Sequence, residues 1–360
     1  MLVLMMPLQL AARAQGLPPL PDMSMFPPPT GAYQVGRTNY HWIDESRDEL
    51  NTDEEDQREL MITVWYPADV EEGAEMALYR EDLNGPNVEE VLPHFGADSS
   101  DPFAMAMADL KTYAYADAPI SETESSYPVL TFSHGSGGMP ADYSLQILEL
   151  ASHGYVVVGI NHTYYSGVSV FPDGRIIGSA FSSGFSESLR IASETTSAED
   201  VSFVIDQLEI LNSDDEIFAT RLDLEHIGTL GHSMGGAIAV LAASMDPRIQ
   251  AVVNEDAFIN PESYPAIEQP FMFFSAGTDF FPSEGPKYTV IVNGFEHGSF
   301  GDFAAFIPEI GTIDSERTVE IVRVYLLTFF DKYLKGVPSE LLDGSSNAYP
   351  EVTIEAENIE

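Results

Sequence analysis

LGHSMGGAIAVLA, Leu230 to Ala242, places one serine between a histidine and a methionine, with a glycine two residues away on each side. The residues before it, EHIGTL (Glu225 to Leu230), are short, partly β-branched and closed by Gly231, the pattern of a buried strand. The residues after it, AIAVLAASM, are good helix formers. Strand, sharp turn and helix form the setting of a G-x-S-x-G elbow, in which flanking glycines allow close backbone approach and the serine hydroxyl stands strained and exposed. This stretch predicts an α/β fold with Ser233 as a nucleophile.

The chain has 360 residues, 44% of them hydrophobic, enough for a sizeable core. It carries 58 acidic against 15 basic residues, a formal net charge of −43, and only four of the basic residues are lysine. A surface so negative should repel nucleic acid and anionic membrane surfaces, so no nucleic-acid partner is expected. The acids are scattered as well as clustered, as in DESRDELNTDEEDQRE (Asp44 to Glu59), a composition suited to high salt, where screening relieves self-repulsion. There is no EF-hand spacing, H-E-x-x-H or Cys/His cluster, so no metal site is expected. Without cysteine there is neither a disulfide nor a thiol nucleophile.

Residues 1–14 combine a short apolar stretch with Ala12-Arg13-Ala14, an A-x-A-like cleavage signal, although a basic n-region is missing; they predict a secretory signal peptide and a secreted or periplasmic protein. A Pro-rich leader occupies 15–30. No later run approaches the ~20 apolar residues of a membrane span. Strands are expected around Tyr33 to Ile43 and Glu59 to Pro67. Residues 71–127 are less regular and read as an insertion, either a lid or a segment packed on the sheet. From Tyr127 onward strands alternate with helical stretches: PVLTFSH, SLQILELASHG, YVVVGIN, a long helix from about Ser186 to Leu211, the elbow, RIQAVVNED, QPFMFFSAG, KYTVIVNG and TVEIVRVYLLTFFDKYL. Such alternation implies a mostly parallel sheet with helices on both faces. With no repeat and no dividing linker, residues 31–360 read as one domain.

A serine hydroxyl needs a base to remove its proton, an acid to orient that base, and donors for the oxyanion that develops. In a fold built around such an elbow the acid and the histidine follow the serine in the chain. Of eight histidines only His297 does so, in the loop NGFEHGSFGDF just past a strand. His232 is expected to pack beneath the turn. Two carboxylates compete for the acid's place, Asp256 after QAVVNE and Asp279 after FFSAGT, each at the carboxyl end of a strand. Glu255 and Asp256 would face opposite sides of a continued strand, so only one could reach the histidine. Asp302 is expected to fix its own loop. The Met234 N–H supplies one oxyanion donor, and the Gly-rich loop His134-Gly135-Ser136-Gly137-Gly138 supplies a second, assigned to Ser136. Phe258, Tyr164 and Met234 are candidates for an apolar acyl pocket.

The segments FSHGSGG, LASHGYVVVGINH, GHSMGG, NEDAF and EHGSFGDF, in this order, resemble the platelet-activating factor acetylhydrolase family of α/β-hydrolases, the plasma and intracellular type II branch, from about Leu60 to Leu334. The resemblance implies an α/β-hydrolase fold without a cofactor and a serine esterase acting on short-acyl, phospholipid-like esters. It also implies Asp256 as the acid. Asp279 lies where cutinase-like and dienelactone-hydrolase-like ester hydrolases carry theirs, and that class is the alternative, with polyesters as substrates. A hydrolase-fold protein used for binding alone is the alternative of another kind.

Overall fold

The computed structural model describes residues 27–52, 55–184, 186–259, 264–277, 283–307 and 310–359. The expected signal segment 1–14, the first part of the leader and Asp279 lie outside the described residues.

In chain order the elements are β1 (Gln34–Asp48), β2 (Gln57–Ala68), β3 (Met76–Leu78), α1 (Val88–Val91), α2 (Pro102–Asp109), β4 (Lys111–Ala116), β5 (Tyr127–Ser133), α3 (Ser144–Ser152), β6 (Val156–Asn161), β7 (Val168–Val170), β8 (Ile176–Gly178), α4 (Glu187–Asp214), β9 (Leu222–His232), α5 (Met234–Met245), β10 (Ile249–Glu255), β11 (Phe271–Ser275), β12 (Lys287–Val292), α6 (Phe303–Phe306), α7 (Ser315–Leu334) and β13 (Val352–Glu357). Eleven strands form one sheet in the order β13-β12-β11-β10-β9-β5-β6-β2-β1-β4-β3. The stretch from β12 to β6 is parallel throughout. Strands β13 and β2 close it on either side with antiparallel pairings. This is the α/β-hydrolase architecture.

Side-chain alternation along the buried strands sorts their residues onto two faces. Val129, Ile227, Val252 and Phe271 pack with Val201, Val204 and Ile205 of α4 and Ile238 of α5. On the opposite face Leu130, Leu230, Val253 and Met272 pack with Ile147 and Leu148 of α3 and Ile321 and Phe329 of α7. The long helices begin where their sequences say they should: the Ser186 side chain accepts the Leu189 N–H at the start of α4, and Asp314 accepts the Arg317 N–H at the start of α7.

The chain enters the parallel core at β5, moves outward to β6, then returns to place β9 on the other side of β5. The order of the strands reverses between β5 and β9, so the loops leaving their carboxyl ends diverge and open a crevice. The glycine loop 134–138 and the elbow at Ser233 are those two loops.

Residues 71–127 hold more regular structure than their sequence suggests. The apolar run Phe103 to Ala116 is not one element; it splits at Leu110 into helix α2, capped by Asp101, and strand β4. Strand β4 pairs in parallel with β1, and β3 pairs with β4, which extends the sheet beyond its hydrolase core. Tyr79, Leu92, Phe95, Phe103 and Met107 gather into an apolar cluster that also takes in Met139 and Leu145 beside the glycine loop and Phe306 beyond the His297 loop. The segment is thereby packed against residues that follow the glycine loop and the His297 loop.

Candidate active site

Strand β9 runs straight into the elbow. Ser233 has φ 55° and ψ −125°, a conformation that costs a non-glycine residue about 1–3 kcal/mol and is held by its surroundings. The surroundings are glycines by necessity. A Cβ on Gly235 would lie 1.9 Å from the Ser133 carbonyl oxygen, and one on Gly231 would lie 2.4 Å from the Gly235 backbone. The Ser233 N–H is anchored on the Glu255 carbonyl at 2.8 Å, which ties the turn to the end of β10. Ser233 itself is half-buried.

Asp256 follows β10 directly and takes φ 58°, the left-handed region that Asp tolerates better than most residues. That twist separates it from Glu255. Asp256 Oδ2 accepts from His297 Nδ1 at 2.7 Å, and Oδ1 accepts from Ser275 Oγ at 2.6 Å and the Ala276 N–H at 2.9 Å. Burial works to raise the Asp256 pKa, but these hydrogen bonds outweigh it and hold the carboxyl below its ordinary value. His297 opens a short turn after β12, its side chain 20% exposed against 15% for Asp256, so the pair is open to the crevice. The proton on Nδ1 leaves Nε2 as the basic nitrogen.

Glu255 points the other way, into the protein. It is fully buried beside Gln146 of α3, whose Nε2 donates to Glu255 Oε2 at 3.3 Å and to the Phe300 carbonyl at 2.9 Å. Burial pushes its pKa up to about 8, opposed by the Gln146 hydrogen bond and helped by the charge of Asp256. A protonated Glu255 brings a donor to a place where its own Oε1 and the Oε1 of Gln146 have no partner among the described residues. Folding therefore takes up a proton between the ordinary value of 4.5 and about 8. The native state binds more protons than the unfolded chain across that window, so the contribution is complete below it and is lost as pH rises, by about 1 kcal/mol per pH unit. Glu255→Gln should flatten the fall in stability on the alkaline side, measured by urea unfolding across the window; Asp302, also raised to about 8 by burial, keeps its own share. A slope equal to that of the wild type would refute the assignment.

In the glycine loop, Gly135 donates its N–H to Tyr143 Oη at 3.2 Å, Gly137 to the Tyr165 carbonyl at 3.0 Å and Gly138 to the Gly135 carbonyl at 2.9 Å. Among the described residues the Ser136 N–H takes no such partner. Ser136 Oγ reaches Met234 Sδ at 3.3 Å, so the two residues expected to supply oxyanion donors touch through their side chains, and the loop runs so close that a Cβ on Gly135 would meet Ser233 Cβ at 3.3 Å. Met234 is buried, its sulfur also taking a hydrogen bond from Ser193 Oγ at 3.3 Å. Of the other acyl-pocket candidates, Phe258 is 69% exposed and Tyr164 is half-buried with φ 70°.

Two expectations need correction or enlargement. Asp302 does not serve its own loop: its two oxygens accept the Ser144 and Leu145 N–H groups at 2.7 and 2.9 Å, because the unsatisfied donors at the start of α3 attract a carboxyl from across the sheet. His232 is buried beneath the turn as expected, yet both its ring nitrogens are bonded, Nδ1 to Tyr143 Oη at 2.9 Å and Nε2 to the His297 carbonyl at 2.8 Å. Tyr143, Gln146 and Ser275 are site residues that sequence reasoning missed. The signal available was a tyrosine and a glutamine at the apolar start of the helix after the glycine loop.

A second Ser-His-Asp set lies nearby. Ser133 Oγ bonds His162 Nε2 at 3.1 Å, and His162 Nδ1 bonds Asp200 at 2.9 Å. All three are fully buried, and Asp200 is held by Arg58 and Arg47. This set has the connectivity of a charge-oriented nucleophile without access for a substrate.

Comparison with known proteins agrees with the architecture. The family described as platelet-activating factor acetylhydrolase, isoform II, matches residues 21–172, which include the glycine loop but end before the elbow. The platelet-activating factor acetylhydrolase of Cavia porcellus is 27% identical over 287 residues, 65% of each chain, and that of Bos taurus is 26% identical over 262 residues, 59% of this chain and 58% of its own. This chain is an α/β-hydrolase related to the platelet-activating factor acetylhydrolases. It aligns with about 65% of the length of the guinea-pig relative. Among solved structures, a ferulic acid esterase from Streptomyces cinnamoneus superposes with a TM-score of 0.76 at 28% identity, covering 92% of this chain and 99% of its own. No described helix is long and apolar enough to cross a membrane.

Proposed function

We propose that the protein is a secreted serine esterase that cleaves carboxylic esters of small acyl groups, phospholipid-like esters among them, through Ser233, His297 and Asp256. The observation that carries this reading is the 2.7 Å bond from His297 to an Asp256 carboxylate already fixed by Ser275 and Ala276, set beside a strained elbow serine. His297 Nε2 takes the proton as Ser233 Oγ attacks the ester carbonyl. The N–H groups of Ser136 and Met234 face the oxyanion of the tetrahedral intermediate. The intermediate collapses, the leaving alcohol receives the proton from His297, and a water activated by the same nitrogen releases the acid from Ser233. Asp256 keeps the imidazole in the tautomer this requires and stabilises its cation.

The preference for small acyl groups rests on the acetylhydrolase relatives; the ferulic acid esterase neighbour makes aryl esters the second class to try. Asp256 occupies the acid's place in this reading, and the cutinase-like alternative through Asp279 gives way to it. The test is a series of p-nitrophenyl esters from acetate to long acyl, with a feruloyl ester and an acetylated phospholipid, in low and in molar salt. Hydrolysis should be fastest at acetate and, given the charge of −43, should persist or rise in molar salt. A fluorophosphonate probe should label Ser233 and leave Ser233→Ala untouched. An unlabelled wild-type protein would make it a binding protein of hydrolase fold.

A further inference from the structure

The glycine loop and the His297 loop must keep one frame, since one holds the oxyanion and the other the proton. Nothing along the chain ensures this, because more than 150 residues separate them. The start of α3 makes three separate ties to the His297 loop. Gln146 donates to the Phe300 carbonyl at 2.9 Å, Asp302 receives the Ser144 and Leu145 N–H groups, and the Asp302 N–H returns to the Asp142 carbonyl at 2.8 Å. A fourth, indirect tie runs from Tyr143 through His232, and it also grips the glycine loop.

The protons on this last chain are fixed by its ends. The Gly135 N–H can only donate, so Tyr143 Oη accepts it at 3.2 Å and has its own proton to give onward. The His297 carbonyl can only accept, so His232 must carry a proton on Nε2 at 2.8 Å. The remaining nitrogen, Nδ1, then accepts the Tyr143 hydroxyl at 2.9 Å. We propose that Tyr143 and His232 are positioning residues that lock the glycine loop to the backbone of His297, a role resting on the esterase reading above.

Three further features fit the role. The His232 ring packs 4.5 Å from the His297 ring and stacks on Phe300, so it limits tilting of the base as well as holding its carbonyl. Its burial, and the charge that would stand on His297, push its pKa down to about 3, so it stays neutral beside an imidazolium formed during reaction. And Tyr143 occupies the Gly135 N–H, which leaves Ser136 as the donor that can turn towards the oxyanion. His232 thus acts through His297 and does not touch the reacting atoms.

Tyr143→Phe removes one oxygen from this chain and little volume. It should lower kcat by about 10- to 100-fold with KM nearly unchanged, since small misplacement of a catalytic group costs rate more than binding. It should slow fluorophosphonate labelling by the same factor. His232→Phe should do at least as much, and the double variant should be no worse than His232→Phe alone, because both cut one chain. His232→Gln, whose amide offers both a donor and an acceptor, should recover most of the loss. Long-range proton–nitrogen spectra of the histidine rings test the chain without activity: His232 should carry its proton on Nε2 alone, and Tyr143→Phe should shift its Nδ1. Wild-type kcat in Tyr143→Phe, or a proton on Nδ1 of His232, would overturn the proposal. Failure of the wild type to be labelled at Ser233 would instead overturn the esterase reading, and the spectra would still decide the hydrogen-bond chain.

Discussion

Asp256→Asn should lower kcat by about 1,000- to 10,000-fold while leaving KM and stability close to wild type. The size of the effect follows from which way the new amide must turn. Ser275 Oγ and the Ala276 N–H both donate to Oδ1, and the Ala276 N–H has no other option. The asparagine therefore places its carbonyl at that position and its NH2 at the position of Oδ2, facing His297 Nδ1. An NH2 there donates, so Nδ1 becomes the acceptor and the ring proton moves to Nε2. His297 then presents a proton to Ser233 where it should present a lone pair. Glu255, which might offer a spare carboxyl, is turned into the protein against Gln146 and cannot substitute. Asp279→Asn should retain most of the activity. Parallel kinetics of the two variants on p-nitrophenyl acetate decide the matter: a dead Asp279 variant beside an active Asp256 variant would transfer the acid and bring the cutinase-like class back.

The elbow was legible because buried parallel strands and the helix after them leave continuous apolar runs, and because Gly231 and Gly235 sit where any Cβ would collide. His297 was nominated by elimination, as the one histidine after Ser233 in the chain. The choice between Asp256 and Asp279 was left open, since both follow strand-like runs; what favours Asp256 is a backbone twist at φ 58° together with a partner set from β11 that no local pattern reveals, while Asp279 lies outside the described residues. The start of α3 was missed for a related reason. Tyr143 and Gln146 look like ordinary polar interruptions of an apolar helix until residues 232 and 300 are brought beside them. Residues 71–127 gave weak signals because their elements are short and pack on a small cluster of their own. Strand β13 was missed because an edge strand with most of its residues partly or fully exposed leaves no strong apolar alternation.

The last and largest effect on stability is expected at Asp200. Its carboxylate accepts from Arg58 Nε and Nη2 at 3.0 and 2.7 Å, from Arg47 Nη2 at 2.8 Å and from His162 Nδ1 at 2.9 Å, and no part of it meets solvent. Burial alone would raise its pKa, but Arg58 and the hydrogen bonds hold it far below the ordinary carboxylate range. Asp200→Asn leaves the Arg58 guanidinium, itself 1% exposed, with Glu49 as its remaining anion and strands part of a buried charge. Breaking such a pair costs about 3–5 kcal/mol, a large share of a typical protein's total stability. The loss should appear as a lower urea midpoint at unchanged m value. Its functional consequence should be indirect. Asp200 orients His162, His162 holds Ser133 and donates its backbone N–H to His134 Nε2 at 3.3 Å, and His134 opens the glycine loop. Ser133→Ala separates this supporting role from chemistry, because Ser133 is wholly buried on β5 and, among the described residues, its hydroxyl bonds His162 alone. That variant should keep its fluorophosphonate labelling and lose only modest stability. Abolished labelling in Ser133→Ala, with the fold intact, would mean that the buried set takes part in the reaction and that Ser233 is not the sole nucleophile.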